Sequence, residues 1–135
     1  MNNTCTNIVV IAQDLFFLPR IQNIAKPHGY NVVRTADLES FKKTYLEEDF
    51  CLILIDLEGN PEVWKKILAF LSNQINELNI IGYGHHSDKN MLVKAEKLGC
   101  DIALTKAQFS RDLIEIVRSQ GQSVIKDRNV KTKNV

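Results

Sequence analysis

The chain has 135 residues, about one domain's worth, and its 44% hydrophobic content is enough to fill a core. Seventeen basic side chains stand against 16 acidic ones, a net charge of +1, which excludes a strongly basic nucleic-acid clamp and an acidic disordered chain. The polar stretch from Met1 to Thr6 has no charged or apolar region of the signal-peptide kind, and the longest apolar run, 50–55, is too short to span a bilayer.

In chain order, Asn7-Ile8-Val9-Val10-Ile11 is the first strand, apolar on both faces. A helix from Leu18 to Lys26 follows, with Pro19 in its first turn and Leu18, Ile21, Ile24 and Ala25 on one face. Tyr30 to Thr35 is a more polar strand, suited to a sheet edge. Asp37 is the N-cap expected for a helix from Leu38 to Glu48 whose stripe is Leu38, Phe41, Tyr45 and Leu46. Cys51 to Ile55 is a second fully apolar strand. Asn60-Pro61, cap then proline, opens a third helix with Val63, Trp64, Ile67, Leu68, Leu71 and Ile75 inward. Asn79 to Tyr83 is a fourth strand, followed by a helix capped by Ser87 and ended by Gly99. Asp101 to Thr105 is a fifth strand. Ser110 is placed as the cap of the last helix, with Leu113, Ile114, Ile116 and Val117 inward. The apolar period stops after Gly121, so the domain is set at 7–120 and residues 121–135 are read as a polar, basic tail.

Strands apolar on both faces, alternating with helices, predict a parallel sheet wrapped on each side. With right-handed crossovers, five such units give an α/β fold of the flavodoxin-like kind, a three-layer α/β/α sandwich with strand order 2-1-3-4-5. The three cysteines, Cys5, Cys51 and Cys100, are odd in number and far apart, which argues against a disulfide framework or a CxxC metal site. Cys51 reads as a buried, reduced thiol, and the chain as a soluble protein of a reducing compartment, the cytoplasm.

Reactive groups in such a sheet gather at the carboxyl ends of the strands, near the switch point between strands 1 and 3. Those ends carry Gln13 and Asp14, Asp56, Gly84 and His85, and Lys106. Asp56 and Lys106 are expected to converge there as an ion pair, since opposite charges 4–6 Å apart favour both ionised forms. The paired histidines His85-His86 have no carboxylate or thiolate at ligand spacing and read as loop residues over the pocket mouth. The first strand-to-helix loop has no glycine, which argues against nucleotide or flavin binding. Of Phe16 and Phe17, one is expected in the core and the other exposed as a protein contact.

An aspartate ending strand 3, a lysine ending strand 5, Gly29-Tyr30 leading into strand 2 and Leu98-Gly99-Cys100-Asp101 leading into strand 5 resemble the receiver domain of two-component response regulators (CheY-like) over residues 7–120. The resemblance implies Asp56 as the phosphoacceptor for a histidine kinase and Lys106 as the neutralising lysine. It also implies an acidic pair for Mg²⁺ after strand 1, a hydroxyl ending strand 4, an aromatic in strand 5 and a proline after the lysine. Those positions hold Ala12 and Gln13, Gly84, Ala103 and Ala107. Mg²⁺ needs carboxylate oxygens, and phosphoryl transfer depends on positioning and charge neutralisation. Asp14 is the one carboxylate that a local slip could swing toward Asp56, against the alternation of neighbouring side chains. The pattern is that of an atypical, degenerate receiver. It implies a binding module, not an enzyme, with no cofactor, no nucleic-acid or membrane partner, a kinase or other protein partner, and a homodimer formed through residues 88–118. Two alternatives stay open: a working phosphorelay receiver that needs Mg²⁺, and a small-molecule or enzymatic α/β domain using Asp56, Lys106 and His85, with the lysine as nucleophile.

Overall fold

The computed structural model describes residues 5–74 and 77–126. Its elements alternate as β1 (Asn7–Ile11), α1 (Leu18–Ala25), β2 (Asn31–Thr35), α2 (Leu38–Glu47), β3 (Phe50–Asp56), α3 (Pro61–Ser72), β4 (Asn79–Gly84), α4 (Lys89–Leu98), β5 (Ile102–Thr105) and α5 (Lys106–Arg118), with a 3₁₀ turn at Lys26–His28 after α1. All pairings are parallel, in the order β2-β1-β3-β4-β5. This is the flavodoxin-like arrangement that the run of apolar strands predicts.

Alternation along the strands splits the core in two. Ile8, Val10, Leu52, Leu54, Ile81 and Tyr83 face α1 and α5, where Ile21, Ala25, Phe109, Leu113 and Ile116 are buried. Val9, Ile11, Ile53, Ile55 and Ile80 face α2, α3 and α4, against Phe41, Trp64, Ile67, Leu68 and Ala95. β2 lies at the edge, as its more polar residues require, with one of its five residues buried. Every residue of β3 is buried, including Asp56 at its end.

Several helix termini differ from the sequence reading. α5 begins at Lys106 and not after Ser110. Thr105 accepts from the Gln108 amide while the Gln108 side chain accepts from the Thr105 amide, a capping box that satisfies two N-terminal donors. The earlier start buries Phe109, which stacks on Tyr83 at 4.1 Å between ring centroids. Ser110 instead sits inside the helix and receives the Arg20 guanidinium. Asp88, one residue after Ser87, caps α4 through the Met91 amide. Leu46 and Ile114, expected inward from their spacing, fall on the solvent side of their helices, 76% and 50% exposed. Ile75 lies outside the described residues.

Two corrections concern the ends of the chain. Cys51 is not a free thiol: Cys5 and Cys51 form a disulfide, with Cα atoms 5.7 Å apart. A separation of 46 residues in sequence vanishes in space because the entry to β1 runs beside the start of β3. At the other end the packed body continues past Gly121, where a tail was expected. Gly121 takes a left-handed φ of 87°, which lets residues 122–126 turn back as a further helical stretch and bury Val124 against the sheet. Residues 127–135 of the expected tail lie outside the described residues.

Candidate functional site

Asp56 ends β3 at the switch point, next to β1 and in register with Tyr83 of β4. It is 8% exposed, and its Oδ1 accepts the backbone N–H of Glu58 at 3.0 Å. Burial is the largest influence on this carboxyl and pushes its pKa above the ordinary carboxylate value. The Glu58 amide and the charge of Lys106 pull the other way without reversing it.

Lys106 does not sit on Asp56. Its ammonium pairs with the Glu58 carboxylate, both side chains being about one-third exposed, 37% and 33%. This corrects the expected Asp56–Lys106 ion pair, and the reason is solvation. A lysine at the helix start gains more from a carboxylate that keeps its water than from one sealed in the sheet end. The hydrogen bond to Glu58 dominates the rise in the Lys106 pKa, with Asp56 contributing through its field. Glu58 is therefore a site residue that the sequence reading overlooked. Its signal was a third carboxylate two positions beyond Asp56, on the loop that faces β5.

The loop after β1 supplies little to Asp56. Gln13 lines a small cavity with Asp56, Asn60 and Trp64, but its Oε1 accepts the Asn60 amide at 3.1 Å. Asp14 folds onto its own loop, its Oδ1 accepting the Phe16 amide at 2.8 Å, and it reaches Asp56 only as a like charge that raises the pKa. Arg34 from β2 donates to the carbonyls of Ala12 and Gln13 at 2.8 and 3.1 Å, so a second unpredicted residue fixes this loop. Trp64 donates its indole N–H to the Leu57 carbonyl at 3.2 Å and holds the β3–α3 turn.

At the end of β4, a Cβ added to Gly84 would lie 2.6 Å from Cε of Met91. The place of a hydroxyl side chain is thus filled by a methionine methyl. His85 is exposed, its Nδ1 accepting the Ser87 amide and standing 2.7 Å from the Ser87 hydroxyl, and its ring stacks on His86 at 4.5 Å. Those bonds tie His85 to its own loop. Ala103 in β5 donates its amide to Glu96 at 2.9 Å and offers no aromatic ring. Of the predicted set, Asp56 and Gln13 share one cavity. Lys106 and Asp14 act on Asp56 through charge, and Gly84 and His85 contribute no group to it.

A magnesium ion would need several free, hard oxygens beside Asp56. One oxygen of Asp56 is held by an amide, the Asp14 carboxylate is turned onto Phe16, the Gln13 oxygen is used by Asn60, and Glu58 is paired with Lys106. Among the described residues, no three His, Cys, Asp or Glu side chains are grouped so as to hold a metal. As placed, these side chains do not form a ready octahedral oxygen set for the ion.

No protein-family model matches the sequence, and no curated protein matches it. Solved structures do. The receiver domain of the TMAO respiratory system response regulator TorR matches with a TM-score of 0.73 at 23% identity, over 84% of this chain and 94% of that one. The signal receiver domain of an HD domain-containing protein from Pseudomonas fluorescens Pf-5 matches at 0.74 and 16%, over 96% of both chains. The beryllofluoride-activated NtrC4 receiver domain dimer matches at 0.70 and 19%, over 87% of this chain and 97% of that one. The chain therefore has the fold of response regulator receiver domains.

Proposed function

We propose that this chain is an atypical receiver domain of two-component signalling that acts by binding protein partners and is impaired in Mg²⁺-dependent phosphorylation. The observation that carries this reading is the capture of Lys106 by Glu58, while one oxygen each of Asp56, Asp14 and Gln13 is held by a backbone amide. Positioned cations are what phosphoryl transfer needs, and here the fixed cation is neutralised before a phosphoryl group arrives. The cavity beside Asp56 has a volume of only about 10 Å³, far below the range of small-molecule sites, which favours a binding module over an enzyme. No cofactor is required by this reading. A histidine kinase is one candidate partner, in the cytoplasm where such kinases signal.

Trp64 lines the same cavity as Asp56 and reports on it. Adding millimolar Mg²⁺ is expected to leave Trp64 fluorescence unchanged; a saturable change lost in Asp56→Asn would overturn the reading. Exposed Val93 on α4 and Ile114 on α5 support a homodimer through residues 88–118. Light scattering is expected to give the mass of two chains, reduced to one by Ile114→Glu. A monomeric mass for the unaltered protein would exclude this face as a self-interface. Phe16, 76% exposed beside the site while Phe17 packs on Tyr83 and Phe109, supplies a further contact for a partner.

A further inference from the structure

The amino end of the central strands, opposite Asp56, holds chemistry of its own. β1 and β3 run in register from Ile8↔Leu52 onward, but Asn7 pairs with Phe50, so Cys51 is an extra residue with no partner on β1. This bulge explains why Cys51 and Leu52, neighbours in a strand, both face the α1/α5 side of the core. It turns the Cys51 side chain toward Cys5, the residue two positions before β1. Asn7 donates its side-chain amide to the Asp49 carbonyl at 2.9 Å, and Cys5 Sγ lies 3.5 Å from that same carbonyl. Two bonds that do not involve sulfur also hold the segment: the Asn7 side chain to the Asp49 carbonyl, and the Asn31 amide to the Thr6 carbonyl at 2.7 Å. A Cα separation of 5.7 Å is in the middle of the range for disulfides, so the backbone need not move to make or break the bond.

We propose that Cys5 and Cys51 are a reversible thiol–disulfide site that reacts with low-molecular-weight disulfides of the glutathione class, entered through Cys5. Cys5 is the more accessible of the two, being part-buried where Cys51 is 8% exposed. In the forward direction the Cys5 thiolate attacks one sulfur of glutathione disulfide. One glutathione leaves as thiolate, and the other is left in a mixed disulfide on Cys5. The Cys51 thiol gives its proton to water, attacks the Cys5 sulfur and expels the second glutathione. Two protein thiols are oxidised and one glutathione disulfide is reduced to two thiols. The bond ties the chain entry to β3 across a span containing β1, α1, β2 and α2, which restricts the unfolded chain more than the folded one.

Cys100 is the internal control. It is buried between β4 and the α3–α4 face at 4% exposure, and burial pushes its thiol up to about 12, so it stays unreactive. The site is about 16 Å from Asp56, five residues along β3 at the rise of a strand, so it is independent of any phosphoryl chemistry.

The test starts from fully reduced protein incubated with glutathione disulfide and read by intact mass and peptide mapping without reductant. The expected product is about 2 Da lighter than the reduced chain, linked Cys5 to Cys51, and it reverts with excess glutathione. Cys51→Ser should instead accumulate one glutathione on Cys5, while Cys5→Ser should react many-fold more slowly. The oxidised form should melt several degrees higher than the reduced form. Failure to form the link, equal labelling of Cys100, faster reaction of Cys51 than Cys5, or equal melting of the two forms would each overturn the proposal.

Discussion

Asp56 is costly to keep ionised. Its carboxylate is nearly sealed at the end of β3, and a single backbone amide bond with a distant ammonium does not offset the lost water. Because its folded pKa is raised above the unfolded value, the folded state holds the proton more tightly. Stability therefore falls as pH climbs from the ordinary carboxylate pKa, about 3.9, through the raised one, and the deficit stays at neutral pH. Asp56→Asn, which keeps an oxygen for the Glu58 amide, is expected to stabilise the protein by about 1 kcal/mol at pH 7. That gain should vanish below the ordinary carboxylate pKa. Urea denaturation at pH 7 and at acidic pH checks this, and a variant less stable than its parent at pH 7 would show that the carboxylate is well satisfied after all.

At the scale of elements, the strands were legible because each is an unbroken apolar run, and α2 and α3 because Asp37 and Asn60 are caps of ordinary type. The start of α5 was misread because Ser110 is as good a cap as Thr105 in isolation. The Gln108 three residues after Thr105, together with an apolar Phe109, distinguishes the two. Exposed Leu46 and Ile114 show the limit of reading a stripe: a helix offers more apolar positions than its contact face needs. The end of the domain was missed for a backbone reason. Gly121 has φ of 87°, and a Cβ there would meet Cδ1 of Ile81 at 2.9 Å and Cδ1 of Leu52 at 3.2 Å. Gly121→Ala is accordingly expected to cost roughly 1–3 kcal/mol in urea unfolding. A loss below a few tenths would mean that residues 122–126 are not packed against the sheet as described.

Over the whole molecule, one topology brings distant residues to two ends of β3. The carboxyl end gathers Asp56, Glu58, Gln13 and Lys106, and the opposite end gathers Cys5 and Cys51. Position was legible, since the switch point of a 2-1-3-4-5 sheet names the loops that must converge. Pairing was not. Which of two carboxylates a lysine chooses depends on the water each retains, and whether two cysteines meet depends on a bulge; neither leaves a mark in the residue pattern. The same lysine choice is the basis of the proposed function. On the proposed reading, Lys106 on Glu58 leaves the crevice without a cation positioned to receive a phosphoryl group. The most direct trial is incubation of the full chain with acetyl phosphate and Mg²⁺, followed by intact mass, with Asp56→Asn alongside. The account predicts unmodified protein in both samples, whereas a labile phosphoryl adduct on the parent chain that is missing from Asp56→Asn would contradict it.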